Sequence, residues 1–130
     1  MDLRYSVAVR AVYPLASGAS AQRGQPLSVA ASGNVVQVMP VGANLTFVGI
    51  ALDSYTNAPA GTRVEVVREG VVSLPFTGSP PASWLGALLY WNGSAYTFSA
   101  SSGQDSPHTA VGRVIGVEGN VARVVIKTVV

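Results

Sequence analysis

A chain of 130 residues with no cysteine has the size of one domain and can form neither a disulfide framework nor a thiolate metal site. Charged residues make up 11% and apolar ones 48%, against roughly 25% charged in an average soluble domain, so part of the surface is expected to end up covered by a partner. The net charge of +2 rests on scattered cations (Arg4, Arg10, Arg23, Arg63, Arg68, Arg113, Arg123 and Lys127), which form no stripe for a phosphate backbone and argue against nucleic acid as a partner.

In chain order the strand signals dominate. RYSVAVRAVY (4–13) alternates between apolar and polar residues, as a half-buried strand does. PLASGASAQRGQP (14–26) interrupts it with small residues, glycine and proline. Short runs follow at 27–31 and 35–39, with Ser32-Gly33-Asn34 as a tight turn between them. LTFVGIAL (45–52) is almost continuously apolar, which predicts a strand buried on both faces. After the loop NAPAG (57–61), TRVEVVR (62–68) alternates again, and Glu69-Gly70 is expected to turn the chain into VVSLP.

TGSPPAS (77–83) carries two adjacent prolines, which cannot join a ladder. ALLYW (87–91) and AYTFS (95–99) flank Asn92-Gly93, a strong hairpin signal because both residues tolerate positive φ. The segment 101–108 reads as an exposed loop, and VGRVIGVE and NVARVVIKT close the chain as a hairpin around Gly119. No window holds a helical apolar stripe; WLGALLY (84–90) has room for one helical turn. Nine or ten short strands predict an all-β sandwich or barrel. RYSVAVRAVY, set apart by the small-residue stretch, either closes the domain's own sheet or extends to a neighbour's sheet edge.

The inventory for chemistry is thin. His108 is the only histidine and reads as a solvated loop residue; a Ser-His-Asp constellation needs groups that converge in space, and no G-x-S-x-G elbow is present. Glu65 and Glu69 border a strand and its turn, where a solvated face is the ordinary reading. One histidine without cysteine leaves no metal ligand set, and phosphate-loop motifs are missing. No cofactor, small-molecule substrate or catalytic residue is expected. No apolar run reaches the ~20 residues of a membrane span. The start MDLRYSVAVR lacks the features of a signal peptide, which gives the expectation of a soluble protein made in the cytoplasm, without a membrane partner. Trp84, Tyr90, Trp91, Tyr96 and Phe98 are either core or a stacking platform for sugars or bases, and core filling is the commoner use.

The order of these features resembles the capsid decoration (head-stabilising, or cement) proteins of tailed bacteriophages. The resemblance rests on GIAL (49–52), Gly61 leading into RVEVVREGVVSLP, GALLYWN (86–92), AYTFSAS, and VGRVIG…ARVVI (111–126), with Gln22-Arg23-Gly24-Gln25-Pro26-Leu27 as the entry into the first core strand. It covers roughly residues 20–128. The positions that carry it are Gly24, Gly49, Ala51, Gly61, Gly70, Leu74, Pro75, Gly86, Tyr90, Gly112 and Val125, all scaffold positions.

The resemblance implies a compact β-tulip or barrel-like domain over 21–130, preceded by a strand-like arm over 1–20. It implies a structural virion protein without enzymatic activity on the outer surface of the expanded head. There, homotrimers at three-fold positions would clamp major capsid protein subunits against internal DNA pressure. Leu3, Tyr5, Val7, Val9 and Tyr13 of the arm are the candidate contacts with the shell or a neighbouring subunit. Removing residues 1–13 is expected to weaken capsid binding and leave the core folded. The alternative is a receptor- or carbohydrate-binding β module of a tail or surface appendage, supported by the aromatics around Trp84 and Tyr96. A small hydrolase built on His108 is the third reading.

Overall fold

Alternating valines, isoleucines and leucines place one row of side chains on each face of an extended chain, and the strands follow that pattern. A computed structural model describes residues 4–30, 35–40, 45–75, 85–97, 108–118 and 121–127. Over these run β1 (Arg4–Pro14), β2 (Pro26–Val29), β3 (Val36–Val38), β4 (Phe47–Ala51), β5 (Arg63–Pro75), β6 (Leu88–Trp91), β7 (Tyr96–Thr97), β8 (Thr109–Glu118) and β9 (Val121–Lys127). No helix occurs among the described residues. The nine strands form one antiparallel sheet in the order β3-β2-β4-β5-β9-β8-β6-β7, with β1 also on β5. It is strongly curled into a half-barrel, so the fold is all-β and barrel-like.

β5 organises the molecule. Its 13 residues run unbroken through Glu69-Gly70, where the sequence predicts a turn. Gly70 adopts φ 142° within the strand, and the opposing β1 register shifts on both sides of Val9. A glycine beside such an irregularity bends a strand without ending it. Val66 and Val67 are flanked by Ala11 and Arg10 of β1 on one edge and by Ala51 and Ile50 of β4 on the other. Val71, Val72 and Ser73 keep β1 on the first edge but have β9 on the second. One bent strand thus belongs to both halves of the sheet.

Two apolar clusters result. The larger lies inside the curl and joins Ile50, Val67, Val72, Leu74, Leu89, Trp91, Val114, Val124 and Ile126. The smaller lies across β4 and β5 and joins Leu15, Ala21, Leu27, Val48, Ala51, Val64 and Val66. β4 therefore contributes to both clusters, as its continuous apolar run predicts, and all but its first residue are buried. Gly49 makes this close packing possible. It adopts φ 143°, and a Cβ there would lie 2.6 Å from the Val67 carbonyl oxygen.

The small-residue segment after β1 is fastened to the body. The Ala21 amide donates to Tyr55 O (3.0 Å) and the Tyr55 amide to Ala21 O (2.7 Å). Gly18 and Ala58, and Gly24 and Ala51, are linked in the same backbone-to-backbone way. Leu15 and Ala21 are buried beneath this strap.

The β6–β7 connection is longer than a two-residue turn. Trp91 pairs with Tyr96, leaving Asn92 to Ala95 as the loop. The Asn92 amide donates to Ala95 O (3.0 Å), and the Asn92 side-chain oxygen accepts from the amides of Ser94 (2.9 Å) and Ala95 (2.8 Å), an Asx arrangement that stands in for the reciprocal backbone bond. The expected turn at Ser32-Gly33-Asn34, the loop 77–83 and Gly119 lie outside the described residues.

Candidate functional site

The aromatics nearest to a stacking platform are core residues. Trp91 and Tyr96 are buried and meet edge to face, with ring centroids 4.9 Å apart at 65°, a favoured aromatic geometry. Trp91 Nε1 donates to Met39 O (2.6 Å) and the Tyr96 hydroxyl to Gly24 O (2.5 Å). Each ring thus satisfies its polar atom while tying β6 and β7 to distant segments. Burial raises the Tyr96 phenol well above its ordinary value. Tyr90 is half-buried, and Trp84 and Phe98 lie outside the described residues. Tyr96 therefore supplies no exposed binding surface, contrary to its place in the carbohydrate-binding alternative.

His108 also differs from expectation. Directly before β8 it is 7% exposed and is not a solvated loop side chain, because the adjoining Thr109 pairs with Trp91 at the inner end of β6. Of the carboxylates, Glu65 stands 3.6 Å from Arg10 across the β1–β5 pair, both side chains exposed. Burial, then the charges of Asp53 and Glu65, raise the Tyr55 phenol. Among the described residues, no group of three or more His, Asp and Glu side chains is placed to hold a metal ion.

The candidate arm residues occupy β1 from residue 4 onward; Leu3 lies outside the described residues. Tyr5 pairs with Val72, Val9 with Glu69 and Tyr13 with Val64, while Val7 lies in the stretch where the register shifts. Val9 is exposed and Tyr13 packs against the smaller cluster. The shifts at Ser6/Val9 and Val9/Arg10 thus separate residues that simple alternation places on one face.

The scaffold positions are distributed over the whole curl. Gly24, Gly49, Ala51 and Leu74 are buried; Gly70, Tyr90 and Gly112 are half-buried. Gly61 (φ 90°) and Gly86 (φ 81°) occupy exposed turns. Pro75 ends β5 opposite Val121. Val125 points outward, in contrast to its neighbours Val124 and Ile126, which are buried.

What alternation within single strands does not reveal is which outward residues become neighbours across the curled sheet. Arg113 of β8 stands between Leu88 of β6 and Val125 of β9, and Val125 continues onto Val71 of β5. The alternation of GRVIGV and ARVVIK marks outward positions, but only the register joins them into one surface.

The model of the phage cement protein family matches residues 37–127, more than half of the chain. The chain belongs to the phage cement protein family. Its general role is to stabilise the capsid, its partners are capsid proteins, and its place is the virion. The match spans β4 to β9 and most of β3, leaving β1, β2 and Gly24 outside it. No curated protein matches this cement protein.

Proposed function

We propose that this protein binds the outside of the expanded phage head as a homotrimer at three-fold sites and clamps neighbouring major capsid protein subunits against internal DNA pressure. The family match over residues 37–127 carries the reading. Two features support it: the low charge of the chain, suited to surfaces buried between subunits, and the regular β surface without a constellation of catalytic groups among the described residues. Many copies of a modest interface reinforce one another on a shell, so avidity replaces single-site affinity. Residues 1–20 act as the arm, and Leu3, Tyr5, Val7, Val9 and Tyr13 contribute contacts to the shell or to a neighbouring subunit. The protein acts without cofactor, nucleic acid, membrane or enzymatic turnover.

Co-sedimentation with expanded and unexpanded capsids lacking the protein tests this function. Saturable binding to the expanded shell alone, with greater resistance of the loaded heads to heat, is the expected result. Failure to bind either shell would remove the proposal.

A further inference from the structure

The outward face of β6, β8 and β9 combines exposed aliphatic side chains with guanidinium groups. Leu88, Ile115 and Val125 are 37%, 43% and 40% exposed, and with Ala110, Gly112 and Arg113 they line a shallow groove. Leu88, Arg113 and Val125 are direct cross-strand partners. Ile115 is exposed two residues beyond Arg113, on the same face by simple alternation and beside the β8–β9 register shift between Val114 and Gly116. One row further along, Arg123 stands opposite Gly116, also exposed. Arg113 is oriented by donating from its guanidinium to the Gly86 carbonyl oxygen, which leaves most of its donors free for another acceptor.

We propose that this face is the part of the protein that docks on the shell, and that it receives an apolar ledge of a capsid subunit flanked by carboxylates. The inference rests on the cement function proposed above and names the surface that performs it. The two charged side chains described on the face are both arginines, and arginine is the cation best suited to carboxylates at a partly desolvated interface. Two cations around an aliphatic centre are too few for a nucleic-acid backbone. Among the described residues, a second copy of this chain offers few acids as a complement. Glu65 is already paired with Arg10, Glu69 faces Lys127 in register, and Asp53 stands beside Tyr55 on the other half of the sheet. None of these three acids lies on β6, β8 or β9, and the capsid proteins that a cement protein binds are the partner that supplies carboxylates to Arg113 and Arg123.

The test uses full-length protein, expanded capsids lacking it, and the variants Arg123→Glu, Arg123→Lys, Leu88→Asn and, as a control on β2, Val29→Asn. All three sites are exposed, and thermal melting and solution mass establish that each variant is folded. Arg123→Glu and Leu88→Asn are expected to weaken capsid binding by about tenfold or more. Arg123→Lys and Val29→Asn are expected to stay within about threefold of wild type. Added salt should weaken wild type more than Arg123→Glu. Folded Arg123→Glu and Leu88→Asn proteins that bind like wild type would overturn the docking face while leaving the cement function standing. A change of solution mass with unchanged capsid binding would make it a contact between copies and would also overturn it. No binding by the wild type would remove both.

Discussion

Tyr96 illustrates how much a single side chain holds in this fold. Its hydroxyl satisfies the Gly24 carbonyl from inside the core, so Tyr96→Phe keeps the ring and strands a buried acceptor. The expected loss is about 1–3 kcal/mol, read as a lower midpoint in denaturant titration with an unchanged slope. The same residue gives the fold an alkaline limit. Its folded pKa lies above the unfolded one, so its contribution is fully present below pH ~10. It is lost as pH rises from there through the folded value. Stability measured from pH 8 to 11 should therefore fall more steeply in wild type than in Tyr96→Phe. Gly112 is a different case, decided by space. A Cβ there would lie 2.5 Å from Val124 Cγ1 and 2.6 Å from the Val125 carbonyl oxygen. Gly112→Ala forces β8 and β9 apart and should cost about 1–3 kcal/mol, visible as a lower melting temperature. Neither role is legible in the residue itself: the glycine reads as a generic strand interruption and the tyrosine as one aromatic among several.

β1 is the element whose sequence left two possibilities open, and in the structure it lies along β5 from Arg63 to Ser73. Removing residues 1–13 therefore uncovers a long stretch of β5 edge, and an uncovered edge recruits other strands. The truncated protein is expected to melt lower by more than about 5 °C and to self-associate in size-exclusion chromatography. This outcome differs from the undisturbed core expected of a detachable arm, and the pairing of β1 along β5, continued by a small-residue stretch bonded to Ala51, Tyr55 and Ala58, is the reason to expect it. β5 teaches a related lesson. Glu69-Gly70 has the composition of a turn, yet strands on both sides hold it extended. Cross-strand pairing outweighs a local turn preference when both edges of a strand are occupied. β4, by contrast, was readable directly, because a strand buried on both faces has no polar alternation to obscure it.

At the scale of the whole molecule, the proposed function predicts that addition of the protein raises the disruption temperature of expanded heads in proportion to occupancy. A binder selective for one state stabilises that state by mass action, and calorimetry of heads at increasing protein ratios measures it. The homotrimer predicts a solution or on-shell mass of three copies, readable by native mass spectrometry of the free protein and by reconstruction of the decorated shell.

The sequence by itself determined the all-β class and most strand positions, because alternation and turn residues are local properties of the chain. It also carried the family, through spaced glycines and apolar positions that survive as a linear pattern. Tertiary structure decided the rest: the continuity of β5, the burial of His108 and Tyr96, the pairing of β1, and the meeting of Leu88, Arg113 and Val125 on one face. These depend on register and curl, which bring together residues as far apart as Gly24 and Tyr96. No local pattern encodes such distances, since they are set by how the whole sheet closes over its core.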